Sequence, residues 1–135
     1  MWGCSSVLAI IYCLFYPRIL YDATYRISNV PSSLFLGLLA TAADDMILRL
    51  FDVTAVRLVR IFVGHMDRVT DLCFSGDGKW LLSSSMDGTI RVWDVISSRQ
   101  LNAMRMDSAV TALSLSPGMD MLATTHVGHN GIYLW

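Results

Sequence analysis

His65, Ser83 and Asp87 are the three residue types of an acyl-transfer triad, and they fall in one short stretch of the chain. In such a site the imidazole takes the serine proton, the carboxylate orients the imidazole, and N–H donors hold the developing oxyanion. The chemistry needs an exposed hydroxyl, so the reading turns on which element carries Ser83. His126 and His129 have a spacing that could ligate a metal. No third ligand type gathers beside them, and His126 to Gly131 reads as a strand end and turn. Cys4, Cys13 and Cys73 are odd in number and share no C-x-x-C spacing, so they form neither a disulfide framework nor a zinc site. With no N-x-[ST] acceptor either, the reading is an intracellular, reducing location, with Cys73 as a small core residue. Gly76-Asp77-Gly78 lies between strands and not before a helix, so no phosphate loop is present. No cofactor and no metal are expected.

Composition limits the elements that can position these side chains. The 135 residues are 54% hydrophobic and 16% charged, which excludes a disordered chain and allows one structural unit or a piece of one. All eleven acids are Asp, and a chain without Glu is a poor candidate for helix. A formal net charge of -1 lacks the broad basic surface of a nucleic-acid binder. Self-similarity then organises the sequence. LLATAADDMILRLFDV, from Leu38, and LLSSSMDGTIRVWDV, from Leu81, share paired leucines, a small-residue strand, an Asp turn and an aromatic-Asp ending. Phe51, Trp93 and Trp135 stand in the same role at successive steps of 42 residues. A second register agrees, because the pattern from Val69 to Ser75 recurs from Val110 to Ser116, 41 residues on. Within the middle copy, strands are expected over 69–75, 80–85, 89–95 and, more weakly, 100–106. Gly76-Asp77-Gly78, Asp87-Gly88 and Ser97-Ser98 supply the turns. Four antiparallel strands per repeat make one propeller blade, and an isolated blade would expose two apolar faces.

Gly64-His65, Phe74-Ser75-x-Asp77-Gly78, Ser85-x-Asp87-Gly88-Thr89-Ile90-Arg91-Val92 and Trp93-Asp94 follow one another as a complete repeat that resembles the WD family. The first copy departs from that pattern with Phe51-Asp52 and no Gly-His pair. The third lacks the Gly-His pair and the turn Asp. What the resemblance implies for the triad residues is structural: Trp93 donates its indole N–H to Ser83, Ser83 bonds His65, and His65 bonds Asp87. Leaving any of these buried groups unpaired costs about 1–3 kcal/mol. Thr41, Asp45, Phe51 and Trp135 are the partial equivalents, and Phe51 has no N–H to give. The expected fold is therefore all-β: a partial WD-repeat β-propeller of about two and a half four-stranded antiparallel blades. Residues 38–135 form the blades, with the complete repeat over about 64–95 and partial repeats over 38–63 and 109–135. Closing a ring of seven such blades takes roughly 290 residues.

The wording MDRVTDLCFSGDGKWLLSSSMDGTIRVWDV, then SAVTALSLSPGMDMLAT and HVGHNGIYLW, is similar to the small-subunit processome subunits of the U-three-protein-twenty-one type. That resemblance implies a non-catalytic protein–protein scaffold in pre-ribosomal RNA processing and ribosome biogenesis. Its setting would be the nucleolus, its partners other proteins of a large ribonucleoprotein assembly. Nucleic acid would be touched only indirectly, and no small-molecule substrate is expected. A generic WD adaptor of a ubiquitin ligase or signalling complex is the alternative with the same fold. Residues 1–37 are an apolar N-terminal segment. Val7 to Tyr16 reads VLAIIYCLFY, about half of the ~20 residues a membrane span needs, so an anchor over residues 7–24 is a further alternative. The structural reading of the same run includes a partial blade. Arg57, Arg60 and Arg68, the one local cluster of positive charge, are candidate partner contacts together with Met86.

Overall fold

The computed structural model of the protein describes residues 10–14, 37–52 and 55–135, with strands, turns and loops and no helix among them. The first sheet holds β1 (Ile10–Leu14), β2 (Leu38–Ala42), β3 (Leu48–Asp52) and β4 (Arg57–Phe62). The second holds β5 (Val69–Phe74), β6 (Trp80–Ser85), β7 (Thr89–Asp94) and β8 (Gln100–Arg105), and the third β9 (Val110–Leu115), β10 (Leu122–His126) and β11 (Ile132–Leu134). Every pairing is antiparallel between sequence neighbours. The chain is a fragment of a β-propeller, with two four-stranded sheets and one of three strands.

The expected repeat start at Leu38 falls one strand late. β1 lies inside the apolar N-terminal run and pairs along β2 from Ile10 opposite Ala42 to Leu14 opposite Leu38. A short continuous apolar run reads equally well as a membrane-type segment and as a buried strand, because periodicity cannot separate the two. The rest of the 7–24 segment considered as an anchor, and Cys4, lie outside the described residues. No helix among the described residues is long and apolar enough to cross a membrane.

The period is written into the irregularities of the sheets as well as their strands. The outer strands β4 and β8 carry equivalent register shifts, opposite Leu50/Phe51 and Val92/Trp93. The inner strands β5 and β9 are also irregular at equivalent places. Bulges bend an edge strand and interrupt its row of backbone groups, which blunts the outer rim against a further strand. Left-handed turn residues recur too: Met46 with Gly88, Val56 with Ser98, and Gly78 with Met119. A β-branched residue in that region is strained, and Val56, at φ 49°, is almost wholly exposed and packs nothing in return. Val56→Gly is expected to stabilise the chain by about 1 kcal/mol, read as a rise in the urea midpoint at unchanged slope.

The middle sheet is apolar on both faces, and each face is covered by a neighbour. Leu81 and Leu82 are consecutive on β6 and so point to opposite sides. Leu81 joins Trp93, Leu72, Val69 and Val95 against Ala40, Leu48, Leu50 and Phe62 of the first sheet. Leu82 and Ile90 meet Val110, Leu113 and Leu122 of the third. Each fully buried aliphatic side chain contributes about 1.5–3 kcal/mol, and neither cluster exists without two sheets.

Polar stitches fix the register of the second seam. Thr70 Oγ1 donates to the Val110 carbonyl (2.6 Å), and the Asp71 carboxylate accepts the Leu113 N–H (2.8 Å) across the sheets and the Leu72 N–H (3.0 Å) within its own. Burial pushes the Asp71 carboxyl up from its ordinary value, against these two bonds. At the far end of the seam a Cβ on Gly76 would stand 2.9 Å from the Pro117 carbonyl oxygen, which is backbone and cannot swing away. Gly76→Ala is therefore expected to cost about 1–3 kcal/mol by prising the second and third sheets apart, measured by urea unfolding.

Candidate functional site

His65 lies in the loop between β4 and β5, Ser83 lies mid-strand on β6, Asp87 occupies the turn after β6, and Trp93 lies on β7. The local sequence explains each position. Asp87 opens an Asp-Gly turn in which Gly88 takes the left-handed conformation (φ 76°). Gly64 lets the loop pass close to β7: a Cβ there would strike the Arg91 guanidinium and come within 3.0 Å of the Trp93 ring. Alternation on β6 and β7 turns Ser83 and Trp93 to the same face of the sheet.

The four side chains form one continuous hydrogen-bonded relay. Trp93 Nε1 donates to Ser83 Oγ (2.8 Å), Ser83 Oγ and His65 Nε2 are 2.7 Å apart, and His65 Nδ1 lies 3.1 Å from Asp87 Oδ2. A single proton arrangement satisfies them all: Ser83 O–H donates to Nε2 and Nδ1–H donates to the carboxylate. Burial lowers the His65 imidazole below its ordinary value despite the neighbouring Asp87, so the pair is a neutral donor facing a carboxylate, not an ion pair. Burial pushes Asp87 upward. Hydrogen bonds from the Thr89 hydroxyl (2.6 Å), the Met66 N–H (3.0 Å), His65 and the Thr89 N–H (2.8 Å) outweigh it and hold the carboxyl at about 2. Among the described residues no buried side-chain nitrogen or oxygen lacks a partner.

This arrangement uses up the very features a triad needs free. Ser83 is fully buried, its proton goes to His65 and its lone pair receives the Trp93 N–H, so no substrate carbonyl can reach it. A fluorophosphonate probe is expected to leave the folded chain unlabelled; a Ser83 adduct found by mass spectrometry would contradict this.

The other sheets carry altered versions of the relay. In the first, Asp45 turns away to Arg49, pairing with its guanidinium at 2.5 Å, and accepts the Ile47 N–H. Thr41 lies opposite Arg49 on β2 and Phe51 opposite Leu39, and no imidazole stands between Thr41 and Asp45. In the third, Trp135 Nε1 donates to Thr124 Oγ1 (3.0 Å), Thr124 Oγ1 lies 2.9 Å from His126 Nε2, and His126 Nδ1 reaches the Ser108 carbonyl (3.2 Å). Indole, hydroxyl and imidazole appear in the same order, with a peptide carbonyl in place of the carboxylate. His126 was expected only as a strand end beside a turn. It occupies the repeat position of Ser85, and its ring enters the relay from β10 itself instead of from the preceding loop. Trp135 and Thr124 stand 11 residues apart where Trp93 and Ser83 stand 10 apart, so the equivalence was only approximately legible, and it does not show which histidine completes the set. His129 lies outside this relay, with Nδ1 2.9 Å from the Tyr133 hydroxyl. Among the described residues no cluster of His, Cys or Asp is arranged to hold a metal.

The arginines do not form the single cluster their sequence spacing suggested. In the antiparallel sheets the turn after β6 and the loops entering β5 and β9 lie at one end, called upper here. The turns after β3, β5 and β7 lie at the lower end. Arg68 is in the upper loop, where its carbonyl accepts the Met86 N–H (2.9 Å). Arg57 opens β4 at the lower end, and Arg60 donates from mid-strand to the Ile96 carbonyl (3.3 Å) of the next sheet.

Residues 22–135 match the family model described as the WDR36/Utp21 second beta-propeller domain. Human WD repeat-containing protein 36 is 44% identical over 99 residues, covering 73% of this chain and 11% of that protein. The U3 small nucleolar RNA-associated protein 21 homolog of Schizosaccharomyces pombe is 43% identical over 98 residues, 73% of this chain and 11% of its own length. U3 small nucleolar RNA-associated protein 21 of Saccharomyces cerevisiae is 41% identical over 98 residues, 73% of this chain and 10% of its own. The chain thus spans about a tenth of the length of these relatives.

Proposed function

Because the chain belongs to the WDR36/Utp21 family and carries part of the second β-propeller, we propose that it serves as a non-catalytic protein–protein scaffold in ribosome biogenesis. The proposed setting is the small-subunit processome in the nucleolus, during pre-ribosomal RNA processing. Two relatives are named for their association with the U3 small nucleolar RNA, and that association is what the proposal extends to this chain.

The observation that carries the non-catalytic part is the closed relay. Ser83, His65 and Asp87, the side chains that could act as nucleophile, base and orienting acid, are each occupied by a partner inside the fold. What remains outside is surface: turn residues at both ends and the outer strands. Binding energy would then come from side chains on this surface, and RNA would be reached through other proteins of the assembly.

The test is to express the tagged 135-residue chain in cells, image it, and probe its immunoprecipitate for the U3 small nucleolar RNA. Nucleolar signal with enrichment of that RNA supports the proposal. A reticular signal, or a nucleolar signal with no U3 RNA, overturns it.

A further inference from the structure

We propose that the lower outer rim of the first two sheets, built from Arg57, Arg60 and Arg99 with Val56, Leu58 and Ile96, docks an acidic, aliphatic segment of a partner protein. The inference rests on the scaffold reading and names the chemistry of one partner.

Arg57 and Arg99 occupy the same repeat position in consecutive sheets, Arg57 opening β4 and Arg99 immediately preceding β8. The two sheets are tied together at this corner, because Arg60 on β4 reaches the carbonyl of Ile96 in the turn that leads to Arg99. One patch therefore spans the seam. Among the described residues neither Arg57 nor Arg99 forms an ion pair, and β4 and β8 contain no acidic residue. The nearby carboxylates close their own turns: Asp52 accepts the Ala55 N–H, and Asp94 accepts the Ile96 N–H and the Ser97 hydroxyl. These carboxylates are engaged by N–H and hydroxyl donors of their own turns.

Between the arginines stand aliphatic side chains with no neighbour to cover them. Val56 is 88% exposed, Ile96 72% and Leu58 45%. A surface that alternates cations with bare aliphatic groups matches a segment that alternates carboxylates with aliphatic residues. It matches single-stranded RNA poorly. The patch offers no aromatic ring for a base to stack on. The bulges in β4 and β8 interrupt the free edge, so recognition falls to side chains and not to an added strand.

The experiment measures fluorescence anisotropy of a fluorescein-labelled peptide alternating Asp and Leu, titrated with the 135-residue chain. The comparison is with the double variant Arg57→Gln, Arg99→Gln. Both side chains are exposed and unpaired, so the variant should keep the far-UV circular dichroism and unfolding midpoint of the parent. Its affinity for the peptide should fall about three- to tenfold, and added salt should abolish the difference. Equal binding by parent and variant overturns the proposal. So does tighter binding of labelled oligouridine than of the Asp-Leu peptide, or equal binding of a Lys-Leu peptide. The scaffold reading fails separately: a chain that enriches the U3 RNA but does not discriminate the peptide loses only the rim, whereas a chain that never reaches the nucleolus loses the scaffold.

Discussion

Trp93→Ala should cost about 3–5 kcal/mol, a large share of the 5–15 kcal/mol that holds a typical domain together. The indole is fully buried between the first and second sheets, with its ring 5.6 Å from that of Phe62 and 6.2 Å from that of His65. Truncation opens a cavity at the seam and removes the N–H that Ser83 accepts, so packing and polar losses add at one site. Trp93→Phe separates them. It keeps most of the ring volume and deletes only the donor, and its expected cost is about 1–3 kcal/mol. Urea unfolding followed by far-UV circular dichroism gives both numbers. A phenylalanine variant as stable as the parent would show that the Trp93–Ser83 bond contributes nothing, and an alanine variant within 1 kcal/mol of the parent would contradict the packing assignment.

Asp87→Ala ranks second, at about 2–4 kcal/mol near neutral pH. The carboxylate accepts the Met66 and Thr89 N–H groups, the Thr89 hydroxyl and the His65 Nδ1–H, and a methyl group accepts none of them. Each donor left buried without a partner costs about 1–3 kcal/mol, reduced here because the turn borders solvent. The same residue sets the acid limb of stability. Asp87 is held at about 2 in the folded chain against 3.8 when free. Its contribution is therefore complete above pH 3.8 and lost as pH falls from there toward 2, a swing of about 1 kcal/mol once solvent screening at this turn is allowed for. His65 is also held below its free value of 6.5, so the unfolded chain takes up that proton first and stability falls as pH drops below 6.5. Asp71 works in the opposite sense. Its raised value favours the protonated folded form, so its effect on stability diminishes as pH rises above 3.8. Unfolding midpoints of the parent and of Asp87→Asn between pH 7 and pH 2.5 isolate the Asp87 share: the two curves should converge as pH falls below 3.8. Parallel curves would mean that Asp87 is not held low by the relay.

Much of the propeller was legible before any coordinates. Strands expected over 69–75, 80–85 and 89–95 appear as Val69–Phe74, Trp80–Ser85 and Thr89–Asp94, because turn residues with strong local preferences bound each one. The weaker strand over 100–106 was legible only from the period and appears as Gln100–Arg105. Other features were hidden for identifiable reasons. β1 was hidden because an apolar run has no periodicity to read. The His126 relay was hidden because the imidazole arrives from a different position in the repeat. The separation of Arg68 from Arg57 was hidden because eleven residues of sequence lead from one end of a sheet to the other.

The repeat, by itself, determined the four-stranded unit, its spacing, and the pattern of residues that the buried relay needs. These depend on turn chemistry and on alternation, which act between near neighbours. Only the tertiary structure decided whether Ser83 is a nucleophile or a link in a buried chain, because that depends on what covers it. Here the cover is His65 from the loop before β5 and Trp93 from the adjacent strand, itself packed on Phe62 of the adjacent sheet. It also decided which side chains face outward together. Arg57 and Arg99 are 42 residues apart in sequence and become one surface only because the first two sheets pack against each other, with Arg60 bonded to Ile96 across the seam.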